Sequence, residues 1–225
     1  MEALHKDLVP YQLCGRIHHK LIPVSLLNDA SRINELYRQK KEMVARAEAE
    51  GDWYQYVFLH ERPYRLDALP SAAKKGLSRN PSAFWKLVGD VWQDSENIRQ
   101  NLAKWKRIWS SPIEDREACM SGEDIRIFKS LSDEVEVWRG MNHKHYKRGL
   151  GGLSWTFDQD KAIWFASRFP HWGRPLVAKA VINKPDVLAY FGGRNESEIV
   201  SMQVRIVSVT EIGKVECAAN VRFRG

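Results

Sequence analysis

A chain of 225 residues and 26.1 kDa has room for one large domain or two small ones, with a core that needs no disulfide or metal staple. Its 35 Lys+Arg against 28 Asp+Glu give a net charge of +7 and a pI near 9.3, while 44% of residues are hydrophobic. Disorder, collagen and a membrane bundle are thereby excluded, and the basic excess predicts something anionic as a partner.

Taken in chain order, the apolar stretch Leu21 to Leu27 holds Pro23 and Ser25 and is far too short to span a bilayer. From Asn28 to Glu50, the apolar positions Ile33, Leu36, Tyr37, Met43, Val44 and Ala47 share one helical face, with Asp29 and Ser31 as caps and Gly51 as a stop. Asn80-Pro81 opens a second helix carrying Phe84, Leu87, Val88, Val91 and Trp92. Asp94 or Ser95 caps a third, with Ile98, Leu102, Trp105, Ile108 and Trp109 as its buried stripe before Pro112, and a fourth lies around Glu123 to Leu131. The first 130 residues therefore read as all-helical. Beyond them the period changes from 3.6 to 2. Strands are expected at Glu134–Arg139, Leu176–Ile182, Val187–Tyr190, Glu198–Val209 and Lys214–Phe223, with one helix at Asp158–Phe169. The nine tryptophans read as core filling.

Charge separates the two parts only weakly: residues 1–130 carry net +3 and residues 131–225 net +4, so neither is a basic tail. Cys14, Cys119 and Cys217 are too widely spaced for a disulfide framework or a zinc cluster and fit a reducing compartment. With no secretory h-region in view, the expected location is cytoplasmic, with no membrane partner. His18-His19 and His143-Lys144-His145 lack carboxylate or thiolate partners at ligand spacing, so no metal is expected. The chain has no Gly-x-Ser-x-Gly elbow, and Gly149-Leu150-Gly151-Gly152 precedes a strand, the wrong context for a phosphate-binding loop.

Three short segments of the second part stand out: Val137-Trp138-Arg139-Gly140, Gly152-Leu153-Ser154-Trp155-Thr156-Phe157 and Glu196-Ser197-Glu198-Ile199-Val200. An Arg at a strand end, a Ser-x-Thr and a Glu-x-Glu are each common by themselves, and each has a bland reading as a turn, a polar strand face or a solvated pair. In this order, with a helix after the second and a strand opening at the third, they resemble the Arg, Ser-x-Thr and Glu-x-Glu elements of the mono-ADP-ribosyltransferase family over roughly residues 131–209. The residue types suit that chemistry. Cleaving the nicotinamide bond of NAD+ builds positive charge on a ribose, which carboxylates stabilise as in glycoside hydrolysis. Two glutamates two apart in an extended chain point to one side, and an arginine fork suits phosphate or ribose oxygens.

The resemblance implies an α+β fold, with a helical N-terminal region (1–130) packed on an ADP-ribosyltransferase-like split β-sandwich of two antiparallel sheets (131–225). It implies NAD+ as co-substrate and no metal. Glu198 would serve the ribose and Glu196 the acceptor nucleophile, while Arg139, Gly140, Ser154, Thr156, Phe165, Arg168 and Arg174 would hold NAD+. Tyr190 and Phe191, before the flexible Gly192-Gly193 pair, would recognise the target. The acceptor is expected to be RNA, slightly ahead of protein arginine because of the positive charge. An intracellular toxin of the toxin-antitoxin or phage-defence type follows as a role, with an antitoxin or inhibitor protein as partner. Two alternatives stand beside it, an NAD+ glycohydrolase and a non-catalytic nucleic-acid-binding module.

Overall fold

The computed structural model describes residues 2–26, 29–96 and 98–213. Among them are eight α-helices and two antiparallel sheets, of three and six strands, neither a closed barrel. The chain divides into two compact units, residues 1–119 and 120–225.

The first unit is not all-helical. Residues 12–26 form a sheet of β1 (Gln12–Leu13), β2 (Arg16–His19) and β3 (Ile22–Leu26). Cys14 and Gly15, at φ 48° and 71°, make the two-residue turn between β1 and β2, the left-handed geometry that matches strand twist. Strands this short give no readable alternation, and Pro23 lies in β3, which is an edge strand and tolerates it. Ile17, Leu21 and Ile22 from this sheet pack with Ile33 and Tyr37 of α1 (Ala30–Glu50). That helix starts and stops where its caps dictate. Asp29 accepts from the Arg32 amide at 3.0 Å, and left-handed Gly51 closes the last turn. Two helices that the pattern does not announce follow, α2 (Trp53–Phe58) and α3 (Arg65–Lys75), the latter with Pro70 inside it.

α4 (Pro81–Asp94) is capped by the Asn80 side chain, which accepts from the Ala83 amide at 3.1 Å. The expected third helix starts late: Ile98–Asn101 is a 3-10 turn, and α5 is Leu102–Trp109. Trp85, Trp92, Trp105 and Trp109 are all fully buried. Trp85 stacks on Trp109 at 5.6 Å, and Trp92 meets Trp105 and Trp109 edge-on at 4.8 and 5.5 Å. Four large rings in contact fill the core between α4 and α5.

The second unit opens with α6 (Gly122–Ser130), fixed by a Ser121–Asp124 capping box. Its six-stranded sheet holds β4 (Glu134–Asn142), β5 (Ser154–Thr156), β6 (Pro175–Asn183), β7 (Val187–Phe191), β8 (Glu198–Ser201) and β9 (Arg205–Glu211), in the spatial order β7-β8-β5-β4-β6-β9. Between β4 and β5 lies the short α7 (Tyr146–Leu150), and between β5 and β6 lies α8 (Gln159–Ser167), capped by Asp158. The single strand expected over 198–209 is two strands, β8 between β7 and β5 and β9 at the far edge beyond β6. Ser201 ends the first, its hydroxyl meeting the Asp186 and Gln203 carbonyls at 2.9 and 2.8 Å, so the chain leaves β7 and β5 and crosses to pair with β6. The strand expected at Lys214–Phe223 lies outside the described residues. β4 pairs with β6 along nine residues but with β5 at one residue pair only, Trp138 with Thr156, so the sheet is thinnest at its middle.

Candidate active site

That thin join is where the motif residues meet. Trp138, Thr156, Glu198 and Phe191 occupy one register row across β4, β5, β8 and β7. Residues level with each other on adjacent strands share a face of the sheet, so Glu198 stands beside Thr156 although they lie far apart in sequence. Glu198 is a carboxylate only 5% exposed. Thr156 donates its hydroxyl to the Glu196 carbonyl at 2.6 Å and accepts from the Asp158 amide at 3.0 Å. The Phe157 amide donates to the Ser197 carbonyl at 3.1 Å. The end of β5 is thus zipped to the segment carrying both glutamates.

Arg139, one residue beyond the join, donates from Nη1 to the Ser154 carbonyl. Gly152 makes room for it: a Cβ there would lie 2.4 Å from the Cζ and Nη2 atoms of Arg139. The guanidinium therefore occupies the side-chain space of Gly152, at the mouth of β5. Arg139, Ser154, Thr156, Glu196 and Glu198 are brought together on three neighbouring strands and the turn leading into one of them.

Several residues stand differently from expectation. The two glutamates do not lie on a regular strand, because Glu196 ends a 3-10 turn and Ser197 is left-handed at φ 44°, as is Asn195 at φ 55°. The alternation rule that would put both on one side does not apply there; the Glu196 backbone is held by its carbonyl's bond to Thr156 and its amide's bond to the Gly193 carbonyl. Non-glycine residues in this backbone region carry strain, which the surrounding hydrogen bonds hold in place. Gly140 serves packing. A Cβ there would lie 2.0 Å from the Ala162 carbonyl oxygen and 2.6 Å from the Ala166 nitrogen, so its bareness lets α8 lie directly on β4. Arg174 is paired with Glu211 at 2.8 Å. Tyr190 and Phe191, expected as a recognition platform, are 5% and 2% exposed and belong to the core of β7, with no open face for an acceptor.

No family model, curated protein or solved structure matches the chain. What the site can do rests on its own geometry.

The exposed aromatics are elsewhere. Phe165 is 36% exposed on α8, Trp164 beside it 55%, and Trp172 in the following turn 41%. Reading all nine tryptophans as core fails for these two. The signal lies in the spacing: α8 turns Ala162, Ile163 and Ala166 toward the strands, which leaves positions 164 and 165 on the other side. Arg168 lies over the rings of Trp164 and Phe169, at 5.4 and 5.1 Å.

Proposed function

We propose that the second unit is an NAD+-dependent mono-ADP-ribosyltransferase. The observation that carries this reading is the convergence of Arg139, Ser154, Thr156, Glu196 and Glu198, from three separate stretches of sequence, onto one hydrogen-bonded strand junction. The strands that bear the arginine and the Ser-x-Thr join at one residue pair only, although the second unit's strands form one six-stranded sheet and not the two sheets expected.

The donor set suits NAD+. Glu198 is a shielded carboxylate, and in a low-dielectric setting a negative charge stabilises a ribose cation more strongly than it would in water. Arg139, bonded to the Ser154 carbonyl at the mouth of β5, offers a planar fork for phosphate or ribose oxygens. In the reaction, the bond between ribose C1′ and the nicotinamide nitrogen breaks and its electron pair stays on the ring nitrogen, giving neutral nicotinamide. A lone pair of the acceptor forms the new bond to C1′, and Glu196 takes the acceptor's proton. Thr156 braces the Glu196 backbone through its hydroxyl.

Incubation with NAD+ radiolabelled at the adenylate phosphate and cell lysate tests the proposal. Label should appear on a macromolecule, and Glu198→Gln should abolish it. Label found only in free ADP-ribose would identify a glycohydrolase, and label unaffected by Glu198→Gln would defeat the assignment. Growth arrest on expression, relieved by Glu198→Gln, is the cellular counterpart expected of a toxin.

A further inference from the structure

The exposed rings of α8 and its following turn form one continuous ledge. Trp164 meets Phe165 edge-on at 5.0 Å, Arg168 bridges the Trp164 and Phe169 rings, and Phe169 lies against Trp172 at 4.4 Å. Surface aromatics in contact with one another, rather than scattered singly, mark a binding face.

The surroundings of the ledge are cationic. The His143 amide donates to the Arg174 carbonyl at 2.9 Å, and Gly173 lies beside Lys144, so the connection that follows β4 runs alongside the turn bearing Trp172. That connection presents Lys144, Lys147 and Arg148, all exposed. Residues 143–174 hold six Lys or Arg against Asp158 and Asp160, and with Glu211 paired to Arg174 the set carries a net +3. Arg168 lies over the rings themselves.

Rings interleaved with cations match an unpaired nucleic-acid strand, whose bases offer faces for stacking and whose phosphates supply affinity without sequence. A duplex hides those faces in its own stack. The ledge is also tied to the candidate active site: Asp158, which caps α8, is hydrogen-bonded to Thr156, and Trp164 lies six residues on, about 9 Å of helix rise.

We propose that this ledge docks single-stranded nucleic acid and presents a nucleotide as the acceptor. The acceptor role rests on the transferase reading; the binding does not. The test is therefore run without NAD+, by fluorescence anisotropy of a labelled uridine oligomer of about 16 nucleotides with the full chain. The oligomer should bind more tightly than a duplex of equal length and weaken steeply between about 50 mM and about 200 mM salt. Trp164→Ala and Trp172→Ala should each weaken it at least about fivefold. Trp164→Phe and Trp172→Phe, which keep a ring, should restore most of that loss, and Lys147→Glu with Arg148→Glu should reduce binding while leaving the rings intact. Absence of binding at low salt, or equal binding of the duplex, would overturn the proposal. So would alanine variants that bind the oligomer normally but raise the KM for NAD+, since the rings would then serve the co-substrate. Binding without any label transfer would leave the ledge standing and defeat the transferase alone.

Discussion

The hydroxyl of Thr156 donates to the main-chain carbonyl of Glu196 at 2.6 Å and, through the same oxygen, accepts the amide of Asp158 at 3.0 Å. One side chain thus ties the turn bearing Glu196 to the start of α8. Thr156→Val keeps the shape and removes both bonds, leaving a half-buried carbonyl and amide without this partner. The expected cost is about 1–3 kcal/mol in chemical denaturation. Nicotinamide release should fall by more than this loss of folded protein explains, and Thr156→Ser should recover it. A valine variant with wild-type turnover would show that Glu196 needs no such brace.

Gly152 and Gly140 look alike in sequence and should fail in opposite ways. A Cβ at 152 meets the far end of the Arg139 side chain at 2.4 Å, whereas a Cβ at 140 meets the Ala162 carbonyl oxygen at 2.0 Å. A side-chain end can move, so Gly152→Ala should melt near the wild type while displacing the guanidinium. If that arginine makes a charge-assisted contact to NAD+, the KM for NAD+ should rise about tenfold or more, as in Arg139→Lys. Backbone cannot move so cheaply. Gly140→Ala should lift α8 from β4 and cost about 1–3 kcal/mol of stability, read as a lower melting temperature. The reverse pattern would assign the cofactor contact to Gly140.

Helices α1 and α4 were legible because Asp29, Gly51 and Asn80-Pro81 are local signals acting within one turn of themselves. The hairpin at residues 12–26 was not legible, since strands of two to five residues leave too little alternation to read. The break after Ser201 is likewise invisible in a run of Val and Ile; it depends on a hydroxyl bonded to Asp186, a partner fixed only by folding. The motif residues could be named from spacing, but their meeting point could not, because the register of Trp138 with Thr156 and of Thr156 with Glu198 is a tertiary fact. Aromatic exposure failed in both directions for the same reason. Tyr190 and Phe191 border a glycine pair yet lie in the sheet core, while Trp164 and Trp172 are hydrophobic yet face outward.

Phe191 fills the register row next to Glu198 and is 2% exposed, so its replacement should act on stability before specificity. Phe191→Ala is expected to cost about 3–5 kcal/mol, and Phe191→Leu less. The leucine variant should keep the wild-type choice among labelled acceptors in lysate. A change of acceptor without a change in melting would restore this residue to target recognition.

Acid should loosen the first unit before it touches the carboxylates. His19 and His60 are each about 95% buried, and burial pushes both below the ordinary histidine value of 6.5, with the nearby Lys20 adding to the effect in each case. His19 Nδ1 accepts the Leu21 amide at 3.1 Å, a bond that protonation of that nitrogen destroys; His60 Nδ1 lies 2.9 Å from the Tyr56 carbonyl. Because the unfolded chain takes up these protons at higher pH than the folded one, it binds more protons in the interval between, and stability rises with pH there. The contribution is complete above the ordinary histidine range and is lost as pH falls through 6.5 toward the depressed folded values. Asp7, held below its usual range by Lys41 and then Tyr37, gives up its pairing only at pH values under 3.8, so the two windows are separate. Thermal melting followed from about pH 7.5 to about pH 5 should therefore show a falling midpoint, and His19→Asn with His60→Asn should flatten that slope. A wild-type midpoint that stays level across the interval would mean that neither imidazole is kept neutral by the fold.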